Sequence, residues 1–169
     1  MPQGSRVILT PKPLSAGSAP ARRVTIGAWV HDEIALRLAR YAQRYTRLRR
    51  ALVETMAEAR RPLTIPEILE TNPGLTQSSA YRNITVLIDA GAARRVNGVD
   101  DHGRFELAED LSGHHHHLVC GTCGKVSDVH SSPRLERALA EAARAVAGQD
   151  DFDVIDHRFD LLGVCADCR

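Results

Sequence analysis

The chain has 169 residues, enough for one medium domain or two small ones, and 43% hydrophobic content with only 4% aromatic describes an alanine-rich, largely helical soluble protein. No run approaches the roughly 20 apolar residues of a membrane-spanning helix, and the start, MPQGSRVILTPKPLSAGSAPARR, lacks the apolar stretch of a signal peptide; the expectation is a cytoplasmic protein with no membrane partner. The net charge of +1 divides unevenly: residues 1–111 carry 16 Arg or Lys against 12 Asp or Glu and residues 112–169 carry 6 against 9, so the front half is the one suited to a polyanion.

In chain order, residues 1–25 read as a disordered tail, a flexible arm whose basic residues could also touch nucleic acid. From Trp29 to Tyr45 the apolar positions Ile34, Leu38 and Ala42 recur at helical spacing, and from Thr46 to Ala59 so do Leu48, Leu52, Met56 and Ala59. Thr64-Ile65-Pro66-Glu67 has the form of a capping box that starts a short helix through Leu69, stopped by Asn72-Pro73-Gly74. Thr76 to Gly91 predicts a further helix. Ala80, Ile84, Leu87 and Ile88 share its core face, while Ser78, Arg82, Thr85 and Asp89 lie opposite, with Tyr81 at the border. Helix, tight turn and helix followed by AARRVNGVDDHGRFEL match a winged helix-turn-helix whose last segment is a two-stranded wing starting at Arg94 and Arg95. The same pattern also fits a plain three-helix bundle with solvated polar faces.

The stretch AEDLSG, Ala108 to Gly113, marks a hinge, after which the period changes. HHHHLVC and KVSDVH alternate like strands; SPRLERALAEAARAVAG has a Ser132 cap, Pro133 in the first turn and a stripe of Leu135, Leu139, Ala143 and Val146; FDVIDHRFDLLGVC alternates again. The order strand, strand, helix, strand predicts a small α+β domain with two Cys-x-x-Cys turns at the ends of its outer strands. All four cysteines fall in these pairs, Cys120/Cys123 and Cys165/Cys168. Paired thiolates at this spacing are the usual construction of a closed tetrahedral structural zinc site, with a redox dithiol and unrelated buried cysteines as the alternatives. The four histidines beside the first pair lie inside the chain, where an affinity tag does not sit. In a strand His115 and His117 point one way and His114 and His116 the other, so one run can feed two sites. The isolated His31 and His130 read as surface residues.

The succession SSAYRNITVLIDAG, RFEL, HHHHLVCGTCGKV and DHRFDLLGVCADC resembles the ferric uptake regulator (Fur) family of metal-sensing bacterial repressors, over about residues 44–169. The resemblance implies a homodimer with a winged-helix DNA-binding domain (26–109), a hinge (110–113) and a dimerisation and metal-binding domain (114–169). It implies a regulatory site of Glu106, His115, His117 and Asp128, and a second site of His114, His116, Glu136 and His157. Many relatives supply another histidine just before the capping box; here that place holds Pro62, leaving completion to His102, to water, or to nothing. The ligand set suits Fe(II), Mn(II), Zn(II) or Ni(II), with iron ahead of zinc because the site has no sulfur. A peroxide-sensing repressor is the alternative. On a near-palindromic operator, Tyr81 would pack on thymine methyls or sugar, Ser78 and Arg82 would contact bases or phosphate, and Arg44 would hold the DNA backbone. A metalloenzyme lacks support, there being no HExxH motif or nucleophile arrangement, and a zinc-ribbon interaction module would need only the cysteines.

Overall fold

The computed structural model describes residues 26–100, 102–148 and 152–169, so the proposed tail lies outside the described residues. The chain begins with α1 (Ala28–Arg40), which buries Val30, Ile34 and Leu38 on one stripe. It ends five residues before the expected Tyr45. The Gln43 and Tyr41 amides both turn back to the Leu38 carbonyl, and Ala42 takes a left-handed φ of 55°, which removes it from the stripe. Thr46 then caps α2 (Arg47–Ala59), its hydroxyl accepting from the Arg49 amide.

Leu63–Thr64 forms a two-residue strand, β1, directly before α3 (Ile65–Thr71). The Glu67 carboxylate accepts from the Thr64 amide at 2.7 Å and its hydroxyl at 2.8 Å, which fixes where the helix begins. Thr76 caps α4 (Gln77–Asp89), whose Ala80, Ile84 and Leu87 are buried against α2 and α3 while Ser78, Arg82, Thr85 and Asp89 remain exposed. The wing follows as β2 (Ala93–Asn97) and β3 (Gly103–Leu107), antiparallel with Arg94 directly opposite Glu106. β1 adds to the other side of β3, making a three-stranded sheet of order β1-β3-β2 where two strands were expected. A two-residue strand is too short to show an alternation in sequence. Helices α1 to α4 and this sheet share one apolar core that reaches Leu107 and Leu111.

Between the wing and the second sheet, the expected hinge holds one helical turn, α5 (Glu109–Ser112), closed by Gly113 at φ +88°. The second sheet has the order β5-β4-β6, built from β4 (His116–Cys120), β5 (Val126–Val129) and β6 (Asp160–Gly163). β4 pairs antiparallel with β5 and parallel with β6, reached through α6 (Pro133–Ala147). The first cysteine turn therefore leaves the central strand rather than an outer one. The last strand is also shorter than its alternating pattern: residues 152–159 belong to no strand, so His157 precedes β6 instead of lying on it. The stripe on α6 is only partly covered, and none of the helix's residues is buried. Val96 of the wing packs on Val119 and Val126 of the second sheet. Beside them the Arg104 guanidinium forks onto Asp100 at 2.5 and 2.8 Å, holding that carboxyl down at about 2. Gly124, at φ +70°, lets the cysteine turn lie directly on that ion pair, where a side chain would collide with Asp100.

Ile84 is 1% exposed at the centre of the α4 core face. Ile84→Ala is expected to cost about 2 to 5 kcal/mol in urea unfolding, whereas Thr85→Ala next to it should stay within about 0.5 kcal/mol. Equal effects at the two positions would mean that α4 is packed differently.

Candidate metal centres and nucleic-acid interface

The four cysteines converge, with sulfur atoms within 4.8 Å of one another. The Cys123 and Cys165 sulfurs are 3.7 Å apart, close to the edge of about 3.8 Å that a tetrahedron with bonds of about 2.3 Å requires. The two turns are stitched together by the Gly121 amide on the Gly163 carbonyl (2.8 Å) and by Lys125 on Asp167 (3.0 Å). The Cys165 amide donates to the Cys120 sulfur at 3.3 Å and, with those of Cys123 and Thr122, draws that thiol down to about 6. Hydrogen bonds with Cys123 and Cys165 push Cys168 up to about 12. All four are free thiols, and one tetrahedral thiophilic ion fits the arrangement.

The histidine run is divided between two spatial groups, and only His116 and His117 of it belong to β4. Glu106 from β3, His115, His117 and Asp128 from β5 form one group, and His114, His116, Glu136 from the first turn of α6 and His157 form another; each group's ligand atoms lie within 4.8 Å. In the first group Glu106 Oε2 is 3.3 Å from both His115 Nε2 and His117 Nε2, and Asp128 Oδ1 is 3.8 Å from His117 Nε2. Each buried ligand is aimed by a second partner on its far side. His115 Nδ1 meets the Gly113 carbonyl at 2.7 Å, His117 Nδ1 meets Asp160 at 3.3 Å, and Glu106 Oε1 accepts from Arg94 at 2.5 Å. Both rings thereby present Nε2 inward, the arrangement that outer-shell partners impose on metal-binding imidazoles. Asp128 Oδ1 is buried without a hydrogen-bond partner, a cost of about 1 to 3 kcal/mol that a cation would remove. In the second group His116 Nε2 contacts Glu136 at 2.8 Å and His114 Nε2 contacts it at 3.2 Å. Among the described residues His157 Nε2 is the other buried side-chain polar atom without a hydrogen bond, 3.4 Å from Glu136 but without hydrogen-bond geometry. Both groups fit a divalent ion of borderline or hard character.

Pro62 is fully buried and offers no ligand, and His102 lies exposed in the wing turn outside the first group. A cavity of about 510 Å³ instead opens onto Glu106, His115 and Asp128, bordered by Trp29, Arg61 and His130, with room for water to complete a coordination sphere. Burial works to raise the Glu106 carboxyl, but hydrogen bonds with His115 and His117 and the charge of Arg94 hold it at about 2. Glu106 in turn lifts His115 to about 9 against its burial. Asp128 is raised by burial.

On α4, Ser78 and Arg82 are exposed and Tyr81 is 49% exposed, its ring edge-on to Phe105 of the wing with centroids 6.5 Å apart. Arg44 is exposed in the α1–α2 turn. Arg49 had no signal in the pattern beyond being a charge among helix formers. It is buried, bonding Asn83 of α4 (3.1 Å), the Arg44 carbonyl (2.6 Å) and Gln43 (2.9 Å), so it ties α4 to that turn. Asp160 and the inward turn of Arg94 also escaped the sequence reading; each follows only from strand register, which pairs His117 with Asp160 and Arg94 with Glu106.

A winged helix with an exposed polar face on α4, joined to a second sheet beside which three groups of metal-capable side chains gather, is the arrangement of metal-responsive DNA-binding repressors. The chain belongs to the Ferric uptake regulator family, which matches its residues 41–162. It is 30% identical over 131 residues to the peroxide-responsive repressor PerR of Staphylococcus epidermidis, covering 75% of this chain and 81% of that protein. Its backbone is similar to that of the ferric uptake regulator Fur of Helicobacter pylori, described with three functional metal binding sites (TM-score 0.67, 19% identity, 88% of this chain and 96% of that one). It is also similar to a zinc-bound manganese uptake regulator (TM-score 0.58, 26% identity, 80% and 98%). Among the described residues no helix is long and apolar enough to cross a membrane.

A metal entering the Glu106 group must displace the proton that Glu106 stabilises on His115, whose titration lies near pH 9. Metal affinity there is expected to rise about tenfold per pH unit from neutrality and to level off near pH 9. Calorimetry in buffers of different ionisation enthalpy should show a proton released; a pH-independent affinity over this range would contradict the pairing.

Proposed function

We propose that this chain is a cytoplasmic, homodimeric repressor whose DNA-binding orientation is set by a divalent metal at Glu106, His115, His117 and Asp128, with Fe(II) preferred and Mn(II) or Zn(II) as substitutes. One observation carries the reading: the group draws one ligand from the wing and three from the stretch of chain beyond the hinge, converging on a single point. An ion at that point binds well only when the wing and the second sheet hold one relative orientation, so its binding free energy favours that orientation. Fe(II), when bound, supplies the Lewis acidity that holds these ligands together and a redox activity that zinc lacks. Zinc in the four cysteines would be structural, closing the turns that end β4 and β6. The second group, His114, His116, Glu136 and His157, would steady the approach of α6 to β4.

A second copy is the proposed cover for the exposed apolar face of the C-terminal part, where Ile155 is 97% and Leu162 73% exposed and α6 keeps its stripe half bare. Such a dimer would set two α4 helices in successive major grooves roughly 34 to 36 Å apart, which calls for a near-palindromic operator. Ser78, Tyr81 and Arg82 would face the bases and Arg44 the phosphates.

The likeness to peroxide-responsive repressors supports a second reading, in which oxidation at the same ligands ends DNA binding. Peroxide treatment of Fe(II)-loaded and Mn(II)-loaded protein separates the two. Gain of an oxygen atom on the peptide bearing His115 and His117, with iron alone, would favour peroxide sensing.

Arg82→Ala is expected to weaken operator binding by about 1 to 3 kcal/mol in fluorescence anisotropy, with metal content unchanged. Unaltered affinity would remove α4 from the interface.

The decisive experiment takes the histidines singly. His115→Ala and His117→Ala should each abolish metal-dependent DNA binding, while His114→Ala and His116→Ala should leave it metal-dependent and lower the metal count by one per protomer. Four identical phenotypes, or DNA binding that persists in chelator, would sink the proposal.

A further inference from the structure

The two groups of histidines are joined by residues that belong to neither. Arg94, on β2, donates Nε to Glu106 Oε1 at 2.5 Å and Nη1 to Glu109 Oε2 at 3.0 Å. Glu109, the first residue of the hinge turn, contacts His114 Nδ1 with its other oxygen. His114 in turn offers Nε2 to Glu136 at 3.2 Å. An unbroken line of polar contacts therefore runs from the ligand that the wing contributes, Glu106, to the first histidine of the second group. It is largely shielded from solvent: side-chain exposure is 6% at Glu106, 25% at Arg94 and 22% at Glu109, rising to 38% at His114. Local geometry explains why the line closes. Strand register sets Arg94 opposite Glu106, and Gly113 at φ +88° turns the chain so that His114 comes back over Glu109, five residues earlier.

We propose that Glu109 is a coupling residue, through which filling the second histidine group strengthens metal binding at the Glu106 group. The inference rests on the reading of both groups as metal sites. With its Nε2 engaged by a metal, His114 is held in one rotamer and one tautomer, with Nδ1–H directed at Glu109. That holds the Glu109 carboxylate in place, and Glu109 keeps Arg94 shared between two carboxylates. Arg94 then fixes Glu106 Oε1 while leaving Oε2 free for the metal. Without Glu109 more of the guanidinium charge falls on Glu106 and beside His115, whose Nε2 is 3.5 Å from Arg94 Nη2, and competes there with a cation. Ordering that is completed by the first ion is not required again of the second, which makes the coupling positive and reciprocal.

The test is a double-mutant cycle on full-length zinc-containing protein, with Mn(II) as probe and free Mn(II) read by electron paramagnetic resonance. Glu136→Ala removes the carboxylate of the second group from α6 without touching β4; circular dichroism and sedimentation verify the fold of every variant. In the native hinge, Glu136→Ala should lower Mn(II) affinity at the Glu106 group about fivefold. In a Glu109→Ala background the same substitution should change it less than about twofold. The same fivefold drop in both backgrounds, or no drop in either, would overturn the role of Glu109. Absence of any Mn(II) binding at the Glu106 group of the unaltered protein would overturn the metal-switch reading itself and the coupling with it, and that result is seen before any variant is made.

Discussion

Much of the molecule depends on one buried carboxylate. Taking a carboxylate out of water costs several kcal/mol unless its oxygens are engaged, and Glu106 is 5% exposed at the end of the wing. Its two oxygens divide the molecule between them: one is bound to Arg94 of the same sheet, the other faces His115 and His117 at the entrance to the second sheet. The wing cannot move away from β4 without stranding this charge. The apolar contact of Val96 with Val119 and Val126 follows the same boundary, so charge and packing favour one arrangement of wing and sheet.

The helix α4 is positioned by equally indirect means. α4 is anchored through its apolar face and through Asn83, which takes a hydrogen bond from the buried Arg49. Arg49 also grips the turn that displays Arg44, so the helix and that turn move as one piece. Tyr81 leans edge-on against Phe105 on β3, the strand that carries Glu106. The exposed face of α4 and the Glu106 group are thus connected through a single strand rather than through a long chain of loops.

The parts of this architecture that were legible in the sequence are those written in local period and spacing. Thr64 and Glu67 announce a helix start, Ala80, Ile84 and Leu87 announce a core face, and two Cys-x-x-Cys pairs announce a cluster, because each signal is complete within a few residues. His114 and His115 lie before the strand, so their membership of different groups comes from the turn at Gly113 rather than from strand alternation. What escaped depends on partners distant in the chain. β1 exists because β3 is beside it, Asp160 meets His117 because β6 lies parallel to β4, and Arg94 turns inward because Glu106 stands opposite. The overlong reading of the last strand is the converse case: residues 152–159 alternate in sequence, yet pair with no strand among the described residues.

The pairing of β4 has a consequence for how the chain folds. Its antiparallel neighbour β5 follows a short turn and can form at once as a hairpin, whereas its parallel neighbour β6 begins 40 residues after β4 ends. Closing that loop is the slow, entropically costly step, because the ends must meet before any ladder contact rewards them. The cysteine pairs sit where the ends meet, Cys120 and Cys123 on the hairpin side and Cys165 and Cys168 after β6. By analogy with a covalent cross-link, a loop of this length is worth about 4 kcal/mol of chain entropy once clamped. An ion there would act as a clasp on this loop, keeping the remote strand docked beside the hairpin by tying down its far end.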